Sequence, residues 1–175
     1  MASSRILISS QTLGSSAASV TFSSIPSTYT DLCVKISART DYAGPNELLI
    51  MTFNGTGGTS YSNTTLIGNG STVVSNRTSS AAYVRNGYID GSTATANTFA
   101  NTEIYIPSYT ASQNKPISNF SVAENNSATA ADAYINTNAS LATITSAITS
   151  IAFASINTSN FITGSSFYLY GIKNS

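Results

Sequence analysis

Strand-length runs punctuated by Asn-Gly and Asp-Gly pairs recur along the whole chain, and nothing else in the sequence narrows the fold as far. The pairs are Asn54-Gly55, Asn69-Gly70, Asn86-Gly87 and Asp90-Gly91, all suited to the positive backbone angles of tight hairpin turns. The cleanest alternation lies at 31–39. There Leu32, Val34, Ile36 and Ala38 point one way while Cys33, Lys35, Ser37 and Arg39 point the other, the period of a strand with one buried face. Residues 47–53 form an apolar run that reads as a strand buried on both faces. Further strands are expected at 5–10, 20–23, 60–67, 81–85, 88–90, 98–106, 116–123, 133–136, 146–154 and 166–173. Pro26, Pro45, Pro107 and Pro116 fall at run edges, where a missing N–H costs least. Residues 141–151 read as a turn leading into the penultimate strand, because Ile144, Ile148 and Ile151 sit among Thr and Ser. Short strands at roughly ten- to fifteen-residue spacing, without helices alternating between them, indicate an antiparallel sandwich or barrel.

Composition agrees. Charged residues are 8% of the chain, against about 25% in ordinary soluble domains, and Ser, Thr and Asn stand in their place. Such side chains suit turns and solvent-facing strand positions and do poorly inside helices. Ten Tyr, seven Phe and zero net charge argue against disorder, which goes with few aromatics and high charge. With 175 residues, no linker and no repeat, one domain over residues 1–175 is expected. A neutral surface gives no long-range attraction to nucleic acid or anionic membrane, and near-zero net charge favours association. Membership of a homo-oligomeric assembly follows as the expectation.

The chemistry-bearing residues are sparse. The absence of His removes Ser-His-Asp and Cys-His nucleophilic catalysis and most zinc sites, and the single Cys33 forms neither an internal disulfide nor a thiolate cluster. Cys33 reads as a small, half-buried strand residue. The acids Asp31, Asp41, Glu47, Asp90, Glu103, Glu124 and Asp132 are scattered singly, so no local motif proposes the facing carboxylates of a glycoside hydrolase. The glycine-rich stretch at 54–60 lacks the Gly-Lys-Ser/Thr ending of a phosphate loop. No enzyme activity, cofactor or metal is expected. The start lacks a secretory apolar region, and no run reaches the length of a membrane span; synthesis in a cytoplasm without a signal peptide is expected. The Asn-x-Ser/Thr sequons starting at Asn54, Asn63, Asn76, Asn119 and Asn138 then stay bare.

The tyrosines divide into two groups. Tyr105, Tyr134, Tyr168 and Tyr170 lie in expected strands and are read as covering the core; Tyr29, Tyr42, Tyr61, Tyr83, Tyr88 and Tyr109 lie at or near loops or short strands. Tyrosine gives interface area with a polar tip. Arg5, Tyr42, Tyr61 and Tyr88 are therefore the candidate partner contacts.

Three stretches carry a family resemblance: DLCVKISART at 31–40; LIMTFNG at 49–55 followed by Tyr61-Ser62; and ITGSSFYLYGIK at 162–173. Together they resemble small virion-associated proteins of tailed, cyanophage-like bacteriophages. The resemblance runs over nearly the whole chain and names no catalytic residue. It implies a β-sandwich of jelly-roll type, many copies on a virion, and often a homotrimer. The expected role is a capsid decoration (cement) protein bound to the major capsid protein. The Ser3-Ser4-Arg5 arm or the loops around Tyr42 and Tyr61 would make the contacts. The alternative is a tail-fibre or receptor-binding module, partnered by tail proteins or host glycan, whose sites would be 61–69 and 83–91.

Overall fold

The computed structural model describes residues 4–129 and 132–173. The strands in chain order are β1 (Ser4–Thr12), β2 (Ser19–Phe22), β3 (Asp31–Ala38), β4 (Asn46–Phe53), β5 (Tyr61–Gly68) and β6 (Val73–Ala81). The second half supplies β7 (Val84–Asp90), β8 (Ala100–Ile106), β9 (Lys115–Ala123), β10 (Tyr134–Ala142), β11 (Ile151–Ser155) and β12 (Ser166–Lys173). They form two sheets: eight strands in the order β1-β12-β3-β8-β9-β10-β5-β6, and four in the order β2-β11-β4-β7. Pairing within both sheets is antiparallel. The chain is all-β and its sheets pack as a sandwich.

Most of the interior is apolar. Val34 and Ile36 of β3, Ile104 of β8 and Phe167 and Leu169 of β12 belong to one cluster with Val20, Phe22, Leu49, Met51, Phe53, Ile151 and Phe153 of the small sheet. Four aromatic rings form its spine. Phe153 meets Phe22 edge-on at 6.4 Å and Phe167 at 5.8 Å, and Phe167 meets Phe161 at 5.1 Å. The alternation expected at 31–39 is present, with Val34 and Ile36 inside and Lys35 and Ser37 turned out.

Against β7 the apolar interior gives way to a polar seam. Asn86-Gly87, which reads as a hairpin turn, lies inside β7, where the register against β4 shifts and Gly87 has φ +86°. The runs expected at 81–85 and 88–90 are thus redrawn: Ala81 ends β6, and 84–90 form one bulged strand. The bulge leaves backbone carbonyls facing the large sheet, and that sheet answers with amides and hydroxyls. Asn63 Nδ2 donates to Tyr83 O at 3.1 Å, Asn119 Nδ2 to Arg85 O at 2.9 Å and Ser121 Oγ to Tyr88 O at 3.0 Å. Contact is so close that a Cβ on Gly87 would lie 2.4 Å from Ser121 Cβ. Asn63 of β5 and Asn119 of β9 therefore serve as inter-sheet connectors, satisfying backbone groups that would otherwise be orphaned, while Asn138 of β10 donates to Asn119 Oδ1 within the large sheet.

Beyond the seam, the β5–β6 hairpin extends past the small sheet. The first eight residues of β6 are exposed, and only Ala81 is buried. Strand β10 runs on to Ala142, well beyond the expected 133–136, and residues 143–150 then turn into β11 at Ile151.

Candidate functional site

Strand register decides which side chains share the outer face of the eight-stranded sheet. Opposed residues of an antiparallel pair point to the same side. Across the middle of the sheet, Tyr168 pairs with Lys35 and Lys35 with Glu103. Tyr170 and Tyr105 flank Cys33. Further along, Glu103 pairs with Phe120 and Phe120 with Thr137, while Ile135 pairs with Gly68 and Gly68 with Val73. Tyr105, Tyr168 and Tyr170, read as core cover, therefore face away from the core, because they alternate with the inward Ile104, Phe167 and Leu169.

Two zones result. The first is charged. Glu103 receives Arg5 Nη2 at 3.1 Å and Lys35 Nζ at 3.0 Å, and the Lys35 hydrogen bond, with help from Arg5, holds its carboxyl below the ordinary glutamate range. All three side chains are more than 40% exposed, so the cluster contributes about 0–1 kcal/mol to stability. Nearby, Tyr105 donates its hydroxyl to Asp31 Oδ2 at 2.8 Å. Burial first, and that carboxylate second, push the phenol pKa up. Cys33 is fully buried between the tyrosines, more than the sequence suggests, and burial raises its thiol.

The second zone is apolar. Leu66 is 47% exposed, Val73 74%, Phe120 49% and Ile135 53%. These four line one shallow depression of about 200 Å³ with Gly68 and Thr137. A neighbouring depression of about 410 Å³ runs from Phe120 to Tyr105 and Glu103, joining the zones. On the other side of Lys35 a third, of about 440 Å³, is lined by Phe99, Asn101, Tyr168 and Tyr170.

Of the four candidate partner contacts, only Arg5 belongs to this face. Tyr42 is half-buried at a turn, its ring over Gly44. Tyr88 is half-buried and stacks on Tyr134 with ring centroids 4.5 Å apart. Tyr61 must be corrected: it is 1% exposed and is unavailable to a partner. Its hydroxyl accepts from Phe53 N at 2.9 Å and donates to Thr56 O at 3.1 Å, fastening the β4–β5 turn. The stretches 61–69 and 83–91, expected to form glycan-binding loops, are mostly β5 and β7. Of the expected amino-terminal arm, Ser3 lies outside the described residues, and Arg5 belongs to β1.

The sequence reading missed Phe120, Ile135, Leu66 and Val73. Their separate alternation was visible, but their adjacency exists only through the order β9-β10-β5-β6. The remaining buried cations are structural. Lys115 donates to the carbonyls of Ala111, Gln113 and Ile144, and burial lowers its pKa. Arg39 donates to four carbonyls of the β7–β8 connection. Among the described residues no three acids or thiols gather as a metal ion would require. Comparisons with family models, with curated proteins and with solved structures found no match.

Proposed function

We propose that the chain is a non-enzymatic structural protein of a tailed-phage virion. In this reading it is a capsid decoration (cement) subunit that lays the outer face of its eight-stranded sheet against the major capsid protein, as a homo-oligomer and by expectation a trimer. The observation that carries the proposal is the Leu66–Val73–Phe120–Ile135 patch beside the Arg5–Lys35–Glu103 cluster. A contiguous exposed apolar patch with a polar margin is the pattern of a protein contact surface. Burial there contributes about 25 cal/mol per Å² of apolar area, and many copies on a lattice multiply weak single contacts. Binding only to the assembled shell then stabilises the shell by mass action.

The strand order supports the jelly-roll part of this reading. Setting aside β1, β12 and the β8–β9 hairpin, the remaining strands follow β2-β11-β4-β7 in one sheet and β3, β10, β5, β6 in the other. Numbered along the chain, that is the pairing order of a jelly roll, with one hairpin inserted between its second and seventh strands.

Replacing Phe120 by Asp tests the face, because its side chain is half in solvent and the fold should tolerate the change. Decoration of purified particles, followed by cryo-electron microscopy and by co-sedimentation, should fall about five- to thirtyfold, the size of one to two kcal/mol of lost contact. Unchanged decoration, or density at the tail alone, would end the proposal. The glycan-binding alternative has its own observation, the Phe99, Tyr168 and Tyr170 rings around Asn101 and Lys35. Soluble host glycan competing for particle-free protein would favour it.

A further inference from the structure

We infer that copies of this chain join head to tail through the edges of the large sheet, β6 of one pairing with β1 of the next. The inference rests on the reading of the chain as an assembly subunit and says how the subunits meet. Both edges of the eight-stranded sheet are nine-residue strands. Each is exposed along most of its length and presents two exposed aliphatic side chains, Ile6 and Leu7 on β1 and Val73 and Val74 on β6. A long open edge without Pro or acid is a template for another strand, and soluble proteins ordinarily blunt such edges. β6 is unusual in offering its edge and both its faces at once.

The topology chooses the partner. Seven antiparallel pairings separate β1 from β6, and an odd number leaves the two strands pointing in opposite directions. A neighbour's β1 laid beside β6 is therefore antiparallel to it, and the alternation continues unbroken into the next copy. The faces also agree. Aligning Val73 with the neighbour's Thr12 places Val73, Ser75, Thr12 and Ser10 on the outer side, with Val74, Asn76, Gln11 and Ser9 on the inner side.

Charge and regularity disfavour the two self-pairings. β6 against β6 in full register sets Arg77 directly opposite its own copy, and like charges facing across a strand pair repel. β1 against β1 brings together two strands whose register is broken between Leu7 and Ser9. In the mixed pairing the regular segment at 9–12 meets Val73–Asn76, Arg77 falls opposite the apolar Leu7–Ile8 bulge, and Arg5 is already held by Glu103. A head-to-tail contact closes into a ring when its rotation allows, which suits the expected trimer.

Ser10 of one copy and Ser75 of the next are directly opposed in this arrangement and in neither self-pairing, and both are exposed. The experiment compares the native chain with the pair Ser10→Glu and Ser75→Glu, and with the pair Ser10→Glu and Ser75→Lys. Far-ultraviolet circular dichroism checks the fold, and sedimentation velocity over a concentration series reads the mass. The native chain and the Glu/Lys chain should assemble. The Glu/Glu chain should fall to the 18.2 kDa monomer at a concentration about tenfold higher than the Glu/Lys chain does, the ratio expected between an opposed like pair and an opposed unlike pair. Equal midpoints for the two variants would overturn the inference, as would a native chain that is monomeric throughout. If such a monomer still coats particles, head-to-tail pairing fails and the capsid reading stands; a charge-dependent oligomer that coats no particle gives the reverse.

Discussion

An alanine at Phe167 should lower the unfolding free energy by about 3–5 kcal/mol. The residue is fully buried on β12, opposite Ile36 of β3. Its ring touches Phe153 from the small sheet on one side and Phe161 on the other. Removing it takes away apolar transfer energy and leaves a cavity at the point where the sheets meet, and β-strands on both sides restrict collapse into that space. With total stability of order 5–15 kcal/mol, about a fifth or more of the stability of a typical domain would go. Urea unfolding should show the loss as a lower midpoint at unchanged slope, and thermal melting should shift by about 6–20 °C. A loss below about 1 kcal/mol would mean that the sheets do not close on this ring.

How far the sequence anticipates the structure depends on whether a strand has one buried face. β3 and β12 do, and both are readable from alternation to within a residue. β6 has none: Val73, Val74, Ser75, Asn76 and Arg77 are all exposed, no apolar period forms, and the strand is invisible although its turn at Asn69-Gly70 is plain. Asn86-Gly87 misleads for the opposite reason. The pair supplies positive φ, but a β-bulge uses that property as readily as a hairpin does. Arg39 alternates to the solvent side of β3 and is nevertheless buried, because the chain leaves the sheet after Ala38 and the β7–β8 connection folds over the guanidinium. The apolar patch needs four strands from three parts of the chain, and no local pattern contains that order.

Arg39 itself should be among the least replaceable residues. It is 7% exposed. Nη1 donates to Thr95 O at 2.7 Å and to Thr98 O and Oγ1 at 3.2 and 3.3 Å, and Nη2 donates to Ser92 O at 3.2 Å and Ala94 O at 2.9 Å. The connection has no strand of its own, and this fork supplies donors to four of its carbonyls. Arg39→Ala should cost about 3–5 kcal/mol, the range for removing one side of a buried charged network. Amide exchange over 92–98 should accelerate well ahead of the sheets. Asp90, next to it, gives the pH signature. It is fully buried, and neither carboxylate oxygen has a donor at full hydrogen-bond geometry. Burial raises its pKa, with Thr98, Arg39 and Asn125 pulling the other way. A folded-state pKa above the unfolded value means that the folded chain holds the proton more tightly. Its contribution to stability is then complete below the unfolded pKa and is lost as pH rises through the folded one. Asp90→Asn should consequently be more stable than the parent at neutral pH, with the difference closing as the solution is made acid. If the two chains instead diverged further in acid, the Asp90 carboxyl would be held as the charged form by Arg39, and the loop would owe its order to an ion pair rather than to the carbonyl fork.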